Sequence, residues 1–368
     1  MDQIPFWPDQ ASNFAGRVDA IYITLIALSA FFTIPVIVLI VYFGVKYRRG
    51  SSASRAGGKP GHWLEYGWIG GLMLLVVPVY VWSTGVYLDM FRPPSNAIEI
   101  YVVGKQWMWK TQYVNGRREI DQLHVPINQP VKLIMTSQDV IHSFYIPAFR
   151  VKHDVIPGRY TTLWFTPTKL GTYNLACSEY CGTDHALMRG QVTVMSQADF
   201  QAWLNESPTV AGQAGTLGPP SAAGLTGVQT PNTQGGGVSQ GPGQLAAGTS
   251  GLTPGSMVQT GAVLFNRAGC ISCHNMDGTG IGPSLVGVYN SQVQLQSGQV
   301  VRADEDYIRE SVVLPYAKIV AGYQPVMPSF TGQFSEEELM SVVAFVKSLS
   351  DTSGGAAAPP NSTAAPSR

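Results

Sequence analysis

Charge is scarce in this chain of 368 residues, because only 12% of its residues are Asp, Glu, Lys or Arg. Acidic and basic residues balance at 23 each, so the chain lacks the basic surface that binds nucleic acid, and we expect no nucleic-acid partner. Cysteine is rare as well, with four residues in two close pairs. A disulfide framework would need more cysteines, so the pairs favour binding of a metal or cofactor.

The N-terminus lacks the basic residues that open a secretory signal, since residues 1–14 carry two acidic side chains and no Lys or Arg. Either a signal has been removed or the first membrane segment directs targeting. Two uncharged apolar stretches follow, at 20–45 and 66–88, and each is long enough to span a bilayer as a helix. A soluble helical hairpin would need a polar face on each helix, which the first stretch lacks.

Residues 46–59 contain basic residues and no acidic ones, which predicts a cytoplasmic loop between the two spans. The basic residues are Lys46, Arg48, Arg49, Arg55 and Lys59. Both termini would then lie outside the cytoplasm, as would everything after the second span. We expect a multi-pass protein of the bacterial plasma membrane with its remaining domains on the extracytoplasmic, periplasmic side.

Beyond the spans, the pattern changes to short β-type runs separated by turn-prone residues. Examples of these runs are residues 98–103, 131–135, 161–165, 173–175 and 191–194. Their spacing predicts an antiparallel all-β sandwich or barrel of about 100 residues.

The C-terminal half contains a stretch with too little apolar surface to fold, followed by helical patterns. Residues 207–266 carry no charge and are rich in Gly, Pro, Ser, Thr, Ala and Gln, which predicts a flexible linker over most of this stretch. Helices are predicted at 257–268, 304–313 and 335–349, the last opened by a Ser335–Glu338 capping box. The predicted domains are 1–95 (membrane hairpin), 96–206 (β), 207–255 (linker), 256–351 (all-α) and 352–368 (disordered tail).

The β domain carries a cluster of soft metal ligands. These are His142, Cys177, Cys181, His185 and Met188. Two thiolates, two imidazoles and a thioether favour copper, since zinc would not need the methionine. Two cysteines four residues apart on one loop can bridge a pair of metal ions. The alternative is a disulfide with an incidental His and Met.

This spacing resembles the binuclear copper (CuA) motif of cytochrome c oxidase subunit II. The similarity covers about 200 residues, from the membrane hairpin through the β domain, and includes the segment at 152–159. It implies a cupredoxin fold in which the five residues above bind copper. It also implies that Glu179 ligates through its backbone carbonyl and directs its carboxylate towards Mg²⁺ at the contact with subunit I.

The same resemblance assigns two further roles. Trp107, in Gln-Trp-Met-Trp, matches the aromatic patch where electrons enter, although Met108 replaces the usual middle aromatic residue. Alternating tryptophans on a strand can equally be core packing. Glu65 resembles the carboxylate at the mouth of a proton path into subunit I, but a glutamate at a helix end can also simply reach water.

The second cysteine pair stands in Cys270-Ile-Ser-Cys273-His274, the spacing at which c-type haem is attached covalently. With its flanking helices, the region resembles a class I cytochrome c, which implies His274 and Met327 as axial iron ligands. Such ligation suits electron transfer. A zinc knuckle lacks a second Cys/His pair here, and Met327 could also be a buried core methionine.

Together these features predict the electron-input subunit of a respiratory haem–copper cytochrome c oxidase. An external cytochrome or quinol-oxidising complex would reduce the haem. The haem would then reduce the copper centre, which would pass the electrons to subunit I. Subunit III is expected as a further partner. The flexible linker makes the haem-to-copper step intramolecular. A copper-containing nitric oxide reductase subunit is an open alternative, and a membrane-tethered assembly factor or a nitrous oxide reductase is less favoured.

Overall fold

The computed structural model describes residues 7–55, 57, 61–206 and 256–351. The chain divides into two units, residues 1–114 with 118–200 and residues 115–117 with 201–368. The first six residues, Lys59, the predicted linker at 207–255 and the predicted tail at 352–368 lie outside the described residues.

Two long helices precede the β domain, α1 at Ala15–Lys46 and α2 at His62–Met90. Both predicted stretches lie inside these helices, which are long and apolar enough to cross a membrane. Their apolar side chains point outward, as shown by Ile34 and Leu74, which are 59% and 78% exposed. Such exposure fits helices that are surrounded by lipid or by other proteins.

The β domain is a sandwich of two five-stranded sheets within the described residues. The strands are β1 (Ile98–Lys105), β2 (Met108–Tyr113), β3 (Arg118–Ile120), β4 (Gln122–Pro126), β5 (Val131–Ser137), β6 (His142–Ile146), β7 (Val151–Val155), β8 (Thr161–Phe165), β9 (Gly171–Cys177) and β10 (Arg189–Met195). The sheet orders are β3-β2-β1-β5-β8 and β4-β10-β9-β6-β7. This is the predicted cupredoxin-like fold.

The expectation of purely antiparallel sheets is wrong in two places. β1 pairs in parallel with β5, and β10 pairs in parallel with β4. Parallel neighbours need a long crossover between them, and here the intervening strands supply it by crossing to the opposite edge or the other sheet. Alternation of apolar residues along a strand predicts the buried face but does not predict which strand lies beside it.

The segment that precedes α1 packs on the sandwich. Ala11 N donates a hydrogen bond to Ala148 O at 2.9 Å, and Thr168 N donates one to Ala11 O at 2.9 Å. Phe14 is fully buried and meets the Trp164 ring edge-on at 4.8 Å. These N-terminal residues therefore add to the core of the β domain.

A helix that the sequence analysis does not include follows the sandwich, α3 at Gln197–Asn205. The Ser196 hydroxyl accepts a hydrogen bond from Asp199 N at 3.1 Å and caps its first turn. Phe200 is buried and packs near the Tyr113 ring.

The second unit contains the three predicted helices, α4 at Met257–Arg267, α5 at Glu305–Val313 and α6 at Glu336–Asp351. The predicted capping box of α6 is present, since Ser335 N donates to Glu338 Oε2 at 2.9 Å and Glu338 N donates to Ser335 Oγ at 3.3 Å. A short hairpin not predicted from the sequence, β11 (Gln292–Gln294) with β12 (Val300–Arg302), precedes α5.

Candidate functional site

The two cysteines of the copper motif lie at the end of one strand and in the loop after it. Cys177 ends β9, and its Sγ is 3.7 Å from Cys181 Sγ, well beyond the roughly 2 Å of a disulfide. β9 pairs with β6, and Cys177 lies opposite Phe144, so His142 at the start of β6 comes beside it. One ligand atom from each of His142, Cys177 and Cys181 lies within 4.8 Å of the others.

The remaining predicted donors converge on the same sulfurs. His185 Nδ1 lies 3.5 Å from Cys181 Sγ, and Met188 Sδ lies 3.8 Å from that sulfur. The Glu179 carbonyl oxygen is 3.2 Å from Cys177 Sγ, while the Glu179 side chain is exposed. The structure brings the soft donor set together: His142, Met188 and both cysteines are buried, and His185 is half-buried at the edge of the site.

Asp139 orients His142, a partner that the sequence analysis does not identify. Asp139 Oδ1 lies 2.8 Å from His142 Nε2, and its carboxylate also accepts hydrogen bonds from Gln106 N and Val140 N. Burial opposes ionisation of Asp139, but these hydrogen bonds hold its pKa below the usual value. The signal was available in the sequence, because Asp139 stands three residues before His142.

The other ring nitrogen of His142, Nδ1, is buried and makes no hydrogen bond of ordinary length with the described residues. Gly104 lies against this imidazole, and a Cβ there would be 3.0 Å from His142 Cδ2. A buried imidazole nitrogen without a partner is costly unless it binds something. The site therefore fits a metal ion at Nδ1, with Asp139 fixing the ring from behind.

The two thiols differ in acidity. Burial opposes ionisation of Cys177, but the neighbouring His142 ring and the backbone of Ser143 and Glu179 lower its pKa. Burial, together with the neighbouring Cys177 sulfur, raises the pKa of Cys181. Two adjacent thiolates repel each other, so full ionisation of the pair fits a site that receives positive charge from a metal.

The two tryptophans of the sequence motif have different surroundings. Trp109 lies on β2, is fully buried and meets the Phe144 ring at 4.9 Å, so it belongs to the core. Trp107 lies instead in the turn between β1 and β2, is half-buried and packs against Gly182 of the copper loop. Beside it, Gln106 Nε2 donates to Cys181 O at 2.8 Å, a contact that the sequence analysis does not predict.

Glu65 lies apart from the copper site, in the first turn of α2. The opposite end of that helix contacts the β domain, where Trp164 Nε1 donates to Asp89 O at 2.9 Å. Glu65 Oε2 is 3.6 Å from His62 Nδ1, and both side chains are exposed. The carboxylate therefore stands at the end of the span that is predicted to be cytoplasmic.

The second motif surrounds an apolar cavity in the other unit. Cys270 and Cys273 lie on a 3-10 turn after α4, and they line this cavity with His274 and Met327. His274 Nδ1 lies 2.8 Å from Pro283 O, so the backbone carbonyl holds the ring and leaves Nε2 as the ligand atom. The donor set and the apolar lining fit a c-type haem.

Two glycines allow residues 280–282 to pack closely against the Cys270–His274 segment. A Cβ at Gly280 would lie 2.1 Å from Cys273 O, and one at Gly282 would lie 2.9 Å from His274 Cε1. Any side chain at Gly280 would displace the backbone, so the Cys270–His274 segment needs glycine there. The attachment motif alone predicts neither contact.

Comparison with known families identifies both domains. The family model for cytochrome c oxidase subunit II, periplasmic domain, matches residues 117–195, and that for cytochrome c matches residues 258–350. The alternative cytochrome c oxidase subunit 2 of Bradyrhizobium diazoefficiens is 31% identical over 245 residues, covering 57% of this chain and 87% of that protein.

Two further relatives have similar names. The cytochrome c oxidase subunit 2 of Alkalihalophilus pseudofirmus is 23% identical over 287 residues, covering 76% of this chain and 70% of that protein. A crystal structure of the periplasmic domain of subunit II of the Bradyrhizobium japonicum cytochrome oxidase is 35% identical. It covers 31% of this chain and 94% of that one, with a TM-score of 0.30. The chain belongs to the cytochrome c oxidase subunit II family of haem–copper oxidases and carries a C-terminal cytochrome c domain.

Proposed function

We propose that this chain is the electron-input subunit of a respiratory haem–copper cytochrome c oxidase. Electrons from an external donor would pass by way of its own c-type haem and binuclear CuA to subunit I, for reduction of oxygen to water coupled to proton translocation. The observation that carries the proposal is the convergence of His142, Cys177 and Cys181 donor atoms within 4.8 Å in a chain that also has a Cys-x-x-Cys-His cavity.

In this proposal His142, Cys177, Cys181, His185, Met188 and the Glu179 carbonyl bind two copper ions. Bound copper would supply a one-electron centre with soft, covalent ligation. The chain's contribution is to hold the donors before binding: Asp139 fixes His142, and Gln106 fixes the Cys181 carbonyl. Burial of His142, Met188 and both cysteines keeps water from these donors, which favours a small rearrangement when the charge changes.

For the haem, Cys270 and Cys273 would hold the group covalently, and His274 and Met327 would bind its iron. Bound haem would supply a second one-electron centre whose His/Met ligation suits transfer. Pro283 O orients His274 for this role through its 2.8 Å contact with Nδ1. The apolar lining of the cavity would keep water from a bound haem.

Three further assignments belong to the proposal. The exposed Glu179 carboxylate would meet Mg²⁺ at the contact with subunit I, and Trp107, packed on the copper loop, would be the point where electrons from the haem enter the copper domain. Glu65 would stand at the mouth of a proton path. A Trp107→Phe variant that reduces copper at the parental rate, or a Glu65→Ala variant with unchanged proton uptake, would remove the respective role.

The proposed setting is the bacterial plasma membrane, with the copper and haem domains on the periplasmic side. The partners would be subunits I and III and an external cytochrome or quinol-oxidising complex. The domain boundaries at 1–95, 96–206, 207–255, 256–351 and 352–368 are part of the same proposal. The linker would keep the haem domain at an effective concentration of about millimolar near the copper domain.

The test uses the full chain purified with its membrane partners. We expect this chain to bind about two coppers and one covalent haem, in addition to the metal centres of subunit I, and we expect oxygen to reoxidise the reduced haem. Cys181→Ser should keep the haem, lose copper and block this reoxidation. Ser178→Ala, in the same loop but outside the donor set, is the control and should behave like the parent. Unchanged copper in Cys181→Ser would remove the ligand assignment, and unchanged reoxidation would remove the relay.

A further inference from the structure

The β11–β12 hairpin has no part in the proposed function, yet it holds the chain segment that leads to Met327. Gln296 N, just after β11, donates to Ile319 O at 2.8 Å, and Ala321 N donates to Gln294 O at 2.9 Å. These bonds flank an isolated antiparallel bridge between the hairpin and this segment. The hairpin therefore gains a third strand-like partner that runs towards Met327.

A side chain adds a contact closer to the methionine. Gln296 Nε2 donates to Tyr323 O at 2.7 Å, four residues before Met327. Tyr323 and Ile319 both line the haem cavity, so the hydrogen bond attaches the cavity wall to the hairpin. Gln296 itself is exposed, which means that its amide contributes this contact and no core packing.

The chain is held again just after Met327. Ser329 Oγ and Thr331 Oγ1 each donate to Val313 O, at the end of α5, and both distances are 2.7 Å. Met327 therefore lies between two fixed points, the hairpin before it and α5 after it. A short segment fixed at both ends has few alternative positions for its side chain.

We infer that the β11–β12 hairpin is a brace: it restricts the position of the methionine loop, residues 319–331 around Met327. Gln296 is the positioning residue that attaches the hairpin to this loop. The inference rests on the proposed ligation of the haem by His274 and Met327. A foreign ligand can bind the iron only in molecules whose methionine has moved away. Its apparent affinity therefore measures the population of the open loop.

The experiment is a titration of the ferric full-length chain with imidazole at one pH, followed by haem absorbance. Gln296→Ala should lower the apparent dissociation constant for imidazole about fivefold, which is the effect of losing one ordinary hydrogen bond. Gln296→Glu keeps the shape of the side chain but replaces the amide donor with a carboxylate that faces the Tyr323 carbonyl. It should lower the apparent dissociation constant for imidazole at least as much as Gln296→Ala does. Gln299→Ala removes an exposed glutamine of the same hairpin and should match the parent.

Met327→Ala gives the affinity for imidazole when no methionine competes for the iron. It also distinguishes failure of the brace from failure of the proposed methionine ligation. If Met327→Ala binds imidazole more tightly than the parent while both Gln296 variants match the parent, the brace is overturned and the proposed ligation stands. If the parent already binds as tightly as Met327→Ala, the proposed methionine ligation fails and the inference fails with it. Covalent haem content should be equal in all variants, which verifies that the domain has folded.

Discussion

Asp121 shows how one residue outside the donor set supports the copper domain. Its backbone is left-handed, with φ at 56°, and its Oδ1 accepts a hydrogen bond from Trp109 N at 2.8 Å. Trp109 in turn packs edge-on against the His142 ring at 5.9 Å. Burial raises the pKa of the Asp121 carboxyl, because only one backbone donor compensates for the lost water. Ionisation of this carboxyl therefore lowers the stability of the folded domain, although its hydrogen bond with Trp109 N raises it.

Asp121→Asn should stabilise the protein at neutral pH by up to about 1 kcal/mol. The folded carboxyl holds its proton more tightly than the unfolded one, so stability falls as the pH rises above the usual Asp value of 3.8. Asparagine accepts the same hydrogen bond without charge and tolerates a left-handed backbone. The measurement is thermal unfolding of the full chain at neutral pH and near pH 3.8. The difference in stability between Asp121→Asn and the parent should be smaller near pH 3.8.

Asp121→Ala is the control for this prediction. It removes the acceptor and retains the strained backbone conformation, so it should destabilise the protein by about 1–2 kcal/mol. An Asn variant less stable than the parent at neutral pH would contradict the argument.

At the scale of elements, the haem domain depends on a close approach between α4 and α6. Gly261 lies where the helices cross, and a Cβ there would be 1.9 Å from Ser341 O. The Phe265 and Phe345 rings meet beside this point, with centroids 5.3 Å apart. Glycine is a poor helix former, so its place inside α4 reflects the space available and not local preference.

Gly261→Ala should therefore destabilise the haem domain by about 1–3 kcal/mol, which is the cost of overpacking. This cost exceeds the gain from alanine's higher helix propensity. The measurement is urea unfolding followed by haem absorbance. Val263→Ala changes an exposed side chain of the same helix and should shift the transition by less than about 0.5 kcal/mol. A Gly261→Ala variant as stable as the Val263→Ala control would refute the close crossing.

On the scale of the whole molecule, a buried ion pair joins the first helix to the copper domain. Arg150 Nε lies 2.7 Å from Asp19 Oδ1, and the two side chains are only 10% and 5% exposed. The guanidinium also donates to the Pro8 and Pro147 carbonyls at 2.7 and 2.6 Å. One side chain therefore fixes the N-terminal segment, the helix and the sandwich relative to one another.

Arg150→Met should destabilise this junction by about 2–4 kcal/mol, because it leaves the buried Asp19 carboxylate with only the neutral donors of Trp7 and Gln10. The matched control is Lys169→Met, which breaks the exposed pair with Asp9 and should cost less than about 1 kcal/mol. Limited proteolysis near α1 and thermal unfolding would measure both. The double variant Arg150→Met with Asp19→Asn should recover part of the loss, and equal effects of the two single variants would contradict the prediction.

The local sequence determined those features whose causes lie within a few neighbouring residues. Apolar runs predicted both long helices, ligand spacing predicted that the donors of the 177–188 loop converge, and residues three apart predicted the cap of α6. In each case an unbroken run or a fixed spacing carries the information, since these features depend on chain geometry over one or two helical turns. The proposed copper donors on the 177–188 loop belong to this class.

Only the tertiary structure decided the contacts that join distant parts of the chain. Asp19 and Arg150 are 131 residues apart, β1 lies beside β5 in parallel, and Gln296 reaches Tyr323 from a hairpin absent from the prediction. No spacing rule encodes these pairings, because they depend on which surfaces remain uncovered after the elements have formed. The sequence by itself thus determined the helices and the donors, while packing decided what orients His142, what adjoins the Met327 loop and what joins the copper domain to its membrane helix.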